Sequence, residues 1–124
     1  MKFTVDNKEK YSLIKSGVEK LDSLQAPDLK SELVFLNKKG IKNIILDLSD
    51  TRYCDSSGLS AVLVGNRLCK SSNGSFVISG LQDPVKKLVS ISQLDSVLNI
   101  TSGVNEAVEL INAEEVERDL GDQS

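Results

Sequence analysis

Residues 44–69 read IILDLSDTRYCDSSGLSAVLVGNRLC, and this stretch decides the fold. The run Ile44-Ile45-Leu46-Asp47-Leu48 is apolar almost without interruption and rich in β-branched side chains, as in a central strand covered by helices. Ser49 to Cys54 leads away from it with no helical period. From about Ser57 to Lys70, Leu59, Ala61, Val62, Leu63, Val64, Gly65, Leu68 and Cys69 form a nonpolar band too broad for a solvent-facing helix, so a heavily buried helix is expected there.

The same grammar extends to either side. Phe3–Val5 and Tyr11–Ile14, separated by polar residues 6–10, read as a hairpin. Pro27 suits the first turn of a helix starting at Ala26, because its missing N–H has no intrahelical partner there. Leu29, Leu33 and Leu36 give that helix an apolar face, and Gly40 ends it. After the turn Ser71-Ser72-Asn73-Gly74, residues 75–79 alternate as a strand. Asp83 is the expected cap of a helix with Pro84 at its first position and Val85, Leu88, Val89 and Ile91 on its apolar side. Residues 97–100 read as a last strand. Val104, Ala107, Val108 and Ile111 mark a helix over 102–111, extended by a turn or two past Asn112 before fraying. The order ββαβαβαβα describes a single α/β domain with a mixed sheet and packed helices. It occupies residues 1–112, followed by an acidic tail at 113–124.

Composition narrows the function. The 124 residues hold 15 bases and 18 acids. Five of those acids and one base fall in 113–124, so the body is nearly neutral and the tail carries the negative charge. Neither part has the concentrated positive field of a non-specific nucleic-acid binder, and no nucleic-acid partner is expected. Histidine is absent, which removes imidazole bases, Ser-His and Cys-His pairs and imidazole metal ligands; Asp- or Lys-based chemistry stays open. Cys54 and Cys69 lack CxxC spacing and read as reduced thiols, without structural zinc. No secretory signal or membrane-spanning run is visible, so a cytoplasmic protein is expected.

Chemistry concentrates at Asp55-Ser56-Ser57-Gly58. Asp55 suits the cap of the buried helix, accepting from first-turn amides. A serine just inside that turn can present its hydroxyl outward, and Gly58 lets another backbone or a partner approach closely. The helix start also suits a phosphorylated serine: its amides and positive end favour phosphate, while Asp55 opposes part of the benefit. Phosphorylation adds about −1.5 to −2 charge, enough to make a neutral docking patch repel. A plain helix cap explains the same four residues. Ser56 and Ser57 have no partner base, which argues against an intrinsic nucleophile.

The strand, the approach and the D-S-S-G-L helix start resemble the core of a STAS domain, the fold of anti-sigma factor antagonists. The resemblance continues through GSFVISGLQDPVKKLVSISQLDSVLNI to about Asn112. It implies that Ser56 is the phosphoacceptor, Asp55 the cap and recognition residue, and Ser57 with Gly58 part of the docking surface. Gly17, Leu21, Asp22 and Ala26 resemble the family's G-x-L-D stretch and following alanine, with extra residues inside GVEKLD; Asp22 is thereby a candidate contact, and equally an ordinary turn carboxylate. The implied partners are an ATP-binding serine kinase that is also the anti-sigma factor, bound by the unphosphorylated form so that the sigma factor is released, and a phosphatase acting on phospho-Ser56. The chain would then be a switch, not an enzyme, with no cofactor of its own. Two other readings stay open. One keeps the fold but places it in a lipid-transport ATPase or another signalling assembly. The other is a small Mg²⁺-dependent enzyme or ligand-binding domain built on Asp47, Asp50 and Asp55. Lys86 and Lys87 read as a solvated helix face, and Cys54 as a packing residue with redox modulation as its alternative.

Overall fold

Side chains alternate across a strand, so Ile44 and Leu46 must face one side of the sheet and Ile45 the other. The computed structural model, which describes residues 2–122, shows what each side meets. The strands are β1 (Phe3–Asn7), β2 (Ser12–Ser16), β3 (Lys20–Leu21), β4 (Ile44–Asp47), β5 (Tyr53–Cys54), β6 (Phe76–Ser79) and β7 (Asn99–Thr101). The helices are α1 (Ala26–Lys38), α2 (Ser56–Ser71), α3 (Asp83–Ile91) and α4 (Val104–Asp122). Five strands form one mixed sheet in the order β1-β2-β4-β6-β7, with β1 antiparallel to β2 and the other pairings parallel.

Parallel neighbours require crossovers, which α1, α2 and α3 supply. These three helices bury Leu29, Leu33, Leu36, Val62, Val85 and Val89 with Ile14, Ile44, Leu46, Phe76 and Ile78. Burying each large aliphatic side chain contributes roughly 1.5–3 kcal/mol, and this face dominates the core. The opposite face belongs to α4, whose Ala107 and Ile111 cover Ile45 and Val77. Gly65 lets α2 press onto the sheet: a Cβ there would lie 2.5 Å from the Phe76 ring. The ββαβαβαβα order is the observed one, with β3 and β5 added as a separate two-stranded sheet.

Several details differ from the expectations. The cap of α3 is Gln82, whose carbonyl accepts from Val85 and Lys86; Asp83 is the first helical residue and makes no side-chain capping bond. Its carboxylate there still sits at the favourable positive end of the helix. Ile91 projects from the far end of α3 and is exposed. The last strand begins at Asn99, because the amides of Val97 and Leu98 are held in a turn by the carbonyl of Leu94. Helix α4 continues to Asp122, almost three turns beyond Asn112, and Gln123 and Ser124 lie outside the described residues. The C-terminus of α1 follows expectation: Gly40 adopts φ +89°, the left-handed conformation glycine accepts without strain, and donates to the carbonyl of Asn37.

Candidate functional site

The site lies where the parallel strands finish. After β4, the chain is steered by hydroxyls: Thr51 Oγ1 donates to the Val18 carbonyl at 2.8 Å and lies 2.8 Å from Ser16 Oγ, all buried. The Glu19 carbonyl accepts from the amides of Arg52 and Tyr53. β5 then pairs with β3, Lys20 opposite Tyr53 and Leu21 opposite Cys54. This small sheet aims the chain into α2.

Asp55 is the N-cap of α2, in extended backbone, and its Oδ1 accepts from the Gly58 amide at 3.0 Å. The Asp55 amide donates to the Leu21 carbonyl at 3.2 Å, joining the helix start to β3. Gly58 is buried beneath the same carbonyl: a Cβ there would stand 2.1 Å from Leu21 O and 2.8 Å from Cys54 Sγ. The backbone that approaches Gly58 closely is therefore the chain's own. Ser56, the first residue of α2, is exposed, and Ser57 is half-buried. First-turn amides have no intrahelical acceptor, and Asp55 supplies one for the amide of Gly58.

Asp22 reaches the same end of the molecule. Its Oδ1 accepts from the amides of Leu24 at 3.0 Å and Gln25 at 3.3 Å, shaping the turn into α1. Asp22 and Asp55, with Lys20, Leu21, Tyr53 and Cys54, line a shallow groove of about 220 Å³. Leu24, 78 % exposed, and the half-exposed Tyr53 stand uncovered beside it. The Cys54 thiol is pushed up to about 12 by burial and by the Asp55 charge. It is thus a neutral packing thiol at neutral pH, with little of the thiolate that oxidation chemistry requires. Cys69 is raised likewise by burial, and both cysteines are free.

The other acidic residues go elsewhere. Lys15 Nζ lies 3.4 Å from both Asp47 Oδ2 and Asp50 Oδ2. Burial alone would raise the Asp47 carboxyl, but the Ser49 amide and hydroxyl and the Lys15 ammonium outweigh it and hold it below the ordinary carboxylate range. Asp47 and Asp50 therefore share an ammonium while Asp55 caps α2, and the three do not form a cation cage. Among the described residues no group of three or more His, Cys, Asp or Glu is placed to hold a metal ion. Lys86 and Lys87 are exposed on α3. No helix among the described residues is long and apolar enough to cross a membrane.

The positioning roles of Ser16 and Thr51 escaped the sequence reading, and Leu21 entered it only through the G-x-L-D resemblance. β3 and β5 are two residues each, too short for a period-2 pattern to register. The hydroxyls of Ser16 and Thr51 look like ordinary loop polarity until the fold buries them together.

Comparison with known proteins agrees with this architecture. An anti-sigma-B factor antagonist of Staphylococcus aureus is 25% identical over 95 residues, covering 77% of this chain and 87% of its own. An anti-sigma factor antagonist from Mycobacterium paratuberculosis superposes with a TM-score of 0.80 at 15% identity, over 89% of this chain and 92% of its own. The Bacillus cell fate determinant SpoIIAA, solved in its phosphorylated form, gives 0.70 at 18% identity over 88% and 98% of the two chains. Residues 12–107 match the STAS domain. The chain belongs to the STAS family.

Proposed function

We propose that the protein is a phosphorylation-regulated anti-sigma factor antagonist whose switch is Ser56. The observation that carries the reading is an exposed serine at the first position of a buried helix, with Asp55 already committed to Gly58. A kinase can reach that hydroxyl without unfolding anything. The relatives named as antagonists support the regulatory role.

In this reading the unphosphorylated surface around Ser56, Ser57, Asp55 and Asp22 docks on an ATP-binding serine kinase that is also the anti-sigma factor, and the sigma factor is released. Phosphate at Ser56 places about two negative charges beside Asp55 on that surface and ends the docking. A phosphatase restores it. Gly58 contributes through its fit under Leu21, which sets the distance between the Asp22 turn and Ser56.

Affinity capture with the native chain, S56A and S56D identifies the partner and tests its sensitivity to charge. With that partner and ATP, mass spectrometry should find one phosphate, on Ser56. S56A should lose the modification and keep binding; S56D should weaken binding by about 1–3 kcal/mol. Phosphate on another residue, or an S56D variant that binds like the native chain, overturns the assignment.

A further inference from the structure

The ribbon that delivers the chain to Ser56, β3 with β5, has only two residues on each side, and an isolated two-stranded pairing is marginal at best in water. It is held at its ends. At the α2 end, the Leu21 carbonyl accepts from the Asp55 amide and lies against Gly58. At the other end stand two fully buried hydroxyl residues, Ser16 and Thr51.

Proton counting fixes the direction of the hydrogen bonds there. A hydroxyl has one proton to give. The Val18 carbonyl can only accept, so Thr51 Oγ1 spends its proton on that bond, at 2.8 Å. The 2.8 Å contact between Thr51 Oγ1 and Ser16 Oγ is then donated by Ser16. A one-way chain results, from the Ser16 hydroxyl to the Thr51 hydroxyl to the Val18 carbonyl, in which each bond polarises the next. From Val18 onward the two segments are zipped together. The Glu19 carbonyl accepts from the amides of Arg52 and Tyr53 at 2.8 and 3.1 Å, and Lys20 and Leu21 pair with Tyr53 and Cys54. The Leu21 carbonyl then accepts from the Asp55 amide at 3.2 Å. The next residue is Asp22 on one side and Ser56 on the other, so both parts of the candidate docking surface hang from one ribbon.

We infer that Thr51 is a positioning residue for phosphorylation of Ser56, an assignment that rests on the switch proposed above. Its buried hydroxyl, oriented by Ser16, fixes the ribbon that holds Ser56 and the Asp22 turn at one separation. Thr51 has no exposed surface for a kinase to touch, so its influence passes through the ribbon. A partner gripping both sides meets a preformed surface while the hydroxyls are in place, and must order that surface itself once they are gone. The loss falls on binding rather than on transfer within the bound complex.

Thr51→Val keeps the branched shape and removes the hydroxyl. With ATP and the kinase captured by the native chain, and with all variants assayed below their melting ranges, KM for T51V should rise about fivefold or more while kcat stays within about twofold. T51S keeps the proton and should return KM to the native value. S16A removes the orienting bond but spares the bond to Val18, so its KM should rise by about twofold, less than in T51V. Asn43→Ala, at the opposite end of β4, should leave KM unchanged, which separates positioning from loss of stability. Without any kinase, hydrogen exchange in T51V should be faster at the amides of Arg52, Tyr53 and Asp55 than its global stability accounts for, while β4 and β6 follow the global value. A native KM in T51V, or in S16A where T51V does not fold, overturns the role of Thr51 and leaves the switch standing. So does a KM that rises equally in Asn43→Ala, a KM that T51S fails to restore, or ribbon amides that keep pace with the global value. A native chain that takes no phosphate on Ser56 overturns the switch, and this role with it.

Discussion

The two ends of the parallel sheet are built differently. Where the strands begin, Asn43 is buried and spends its whole amide: Nδ2 donates to the Lys10 carbonyl at 3.0 Å and Glu115 Oε1 at 2.6 Å, and Oδ1 accepts from the Ser75 amide at 2.8 Å. Arg118 adds bonds to Ser75 Oγ and Glu115. Four segments are stitched through one side chain. Where the strands finish, the side chains of Asp22 and Asp55 serve only local turns, Ser56 and Leu24 are exposed, and Tyr53 is half-exposed with the Arg52 guanidinium 5.8 Å from its ring centroid. At one end a buried amide ties distant segments together; at the other the head of α2 stays exposed.

This contrast can be broken by single substitutions. The largest effect is expected where α2 is packed against the backbone of β3, at Gly58. Gly58→Ala forces a methyl against the Leu21 carbonyl, which backbone cannot evade cheaply, and should cost about 3 kcal/mol or more in denaturant unfolding. Amide exchange at Asp55, bonded to the same carbonyl, should accelerate beyond the global loss. A variant as stable as the native chain would show that β3 and α2 are not locked at this contact.

At the stitched end, Asn43→Ala leaves a buried amide and carbonyl unpaired and should cost about 2 kcal/mol by the same measurement. Its Ser56 surface should stay unchanged, so phosphorylation below the melting range should proceed at the native rate. Slowed phosphorylation would mean that the ends are coupled.

The smallest effect concerns acid. The Asn43 amide, against burial and with help from Arg118 and Lys42, holds the Glu115 carboxyl below its ordinary 4.5. A carboxyl lowered in the fold stabilises fully above its unfolded pKa and loses that contribution as pH falls through the folded value. Between about pH 5 and pH 3, Glu115→Gln should therefore lose less stability than the native chain, by under about 1 kcal/mol for so partly exposed a group. Parallel melting curves of the two proteins over that range make the comparison.

How much could be read beforehand follows the same division. Signals confined to a few neighbouring residues were legible: the apolar run 44–48, the Pro27 and Gly40 boundaries of α1, the Asp55 cap and the exposed serine beside it. Contacts between distant residues were not. Helix α4 reads as fading after Asn112 because its mean pattern there is polar, yet Glu115 and Arg118 find Asn43 and Ser75 across the sheet. Asp83 looks like a cap by residue type, but the extended backbone at Gln82 places the boundary one residue earlier. Gly58 was legible as a close-approach site, though nothing local names Leu21 as the approaching group.

The exposed serine at the head of α2 has one more consequence. Ser56 is exposed and takes no part in the Asp55–Gly58 bond, so a group esterified to it would not have to break that bond. The bare and esterified chains would then share a single scaffold, and a reader must tell them apart by touch at the surface. Under the proposed switch, such a mark would be written and erased without refolding.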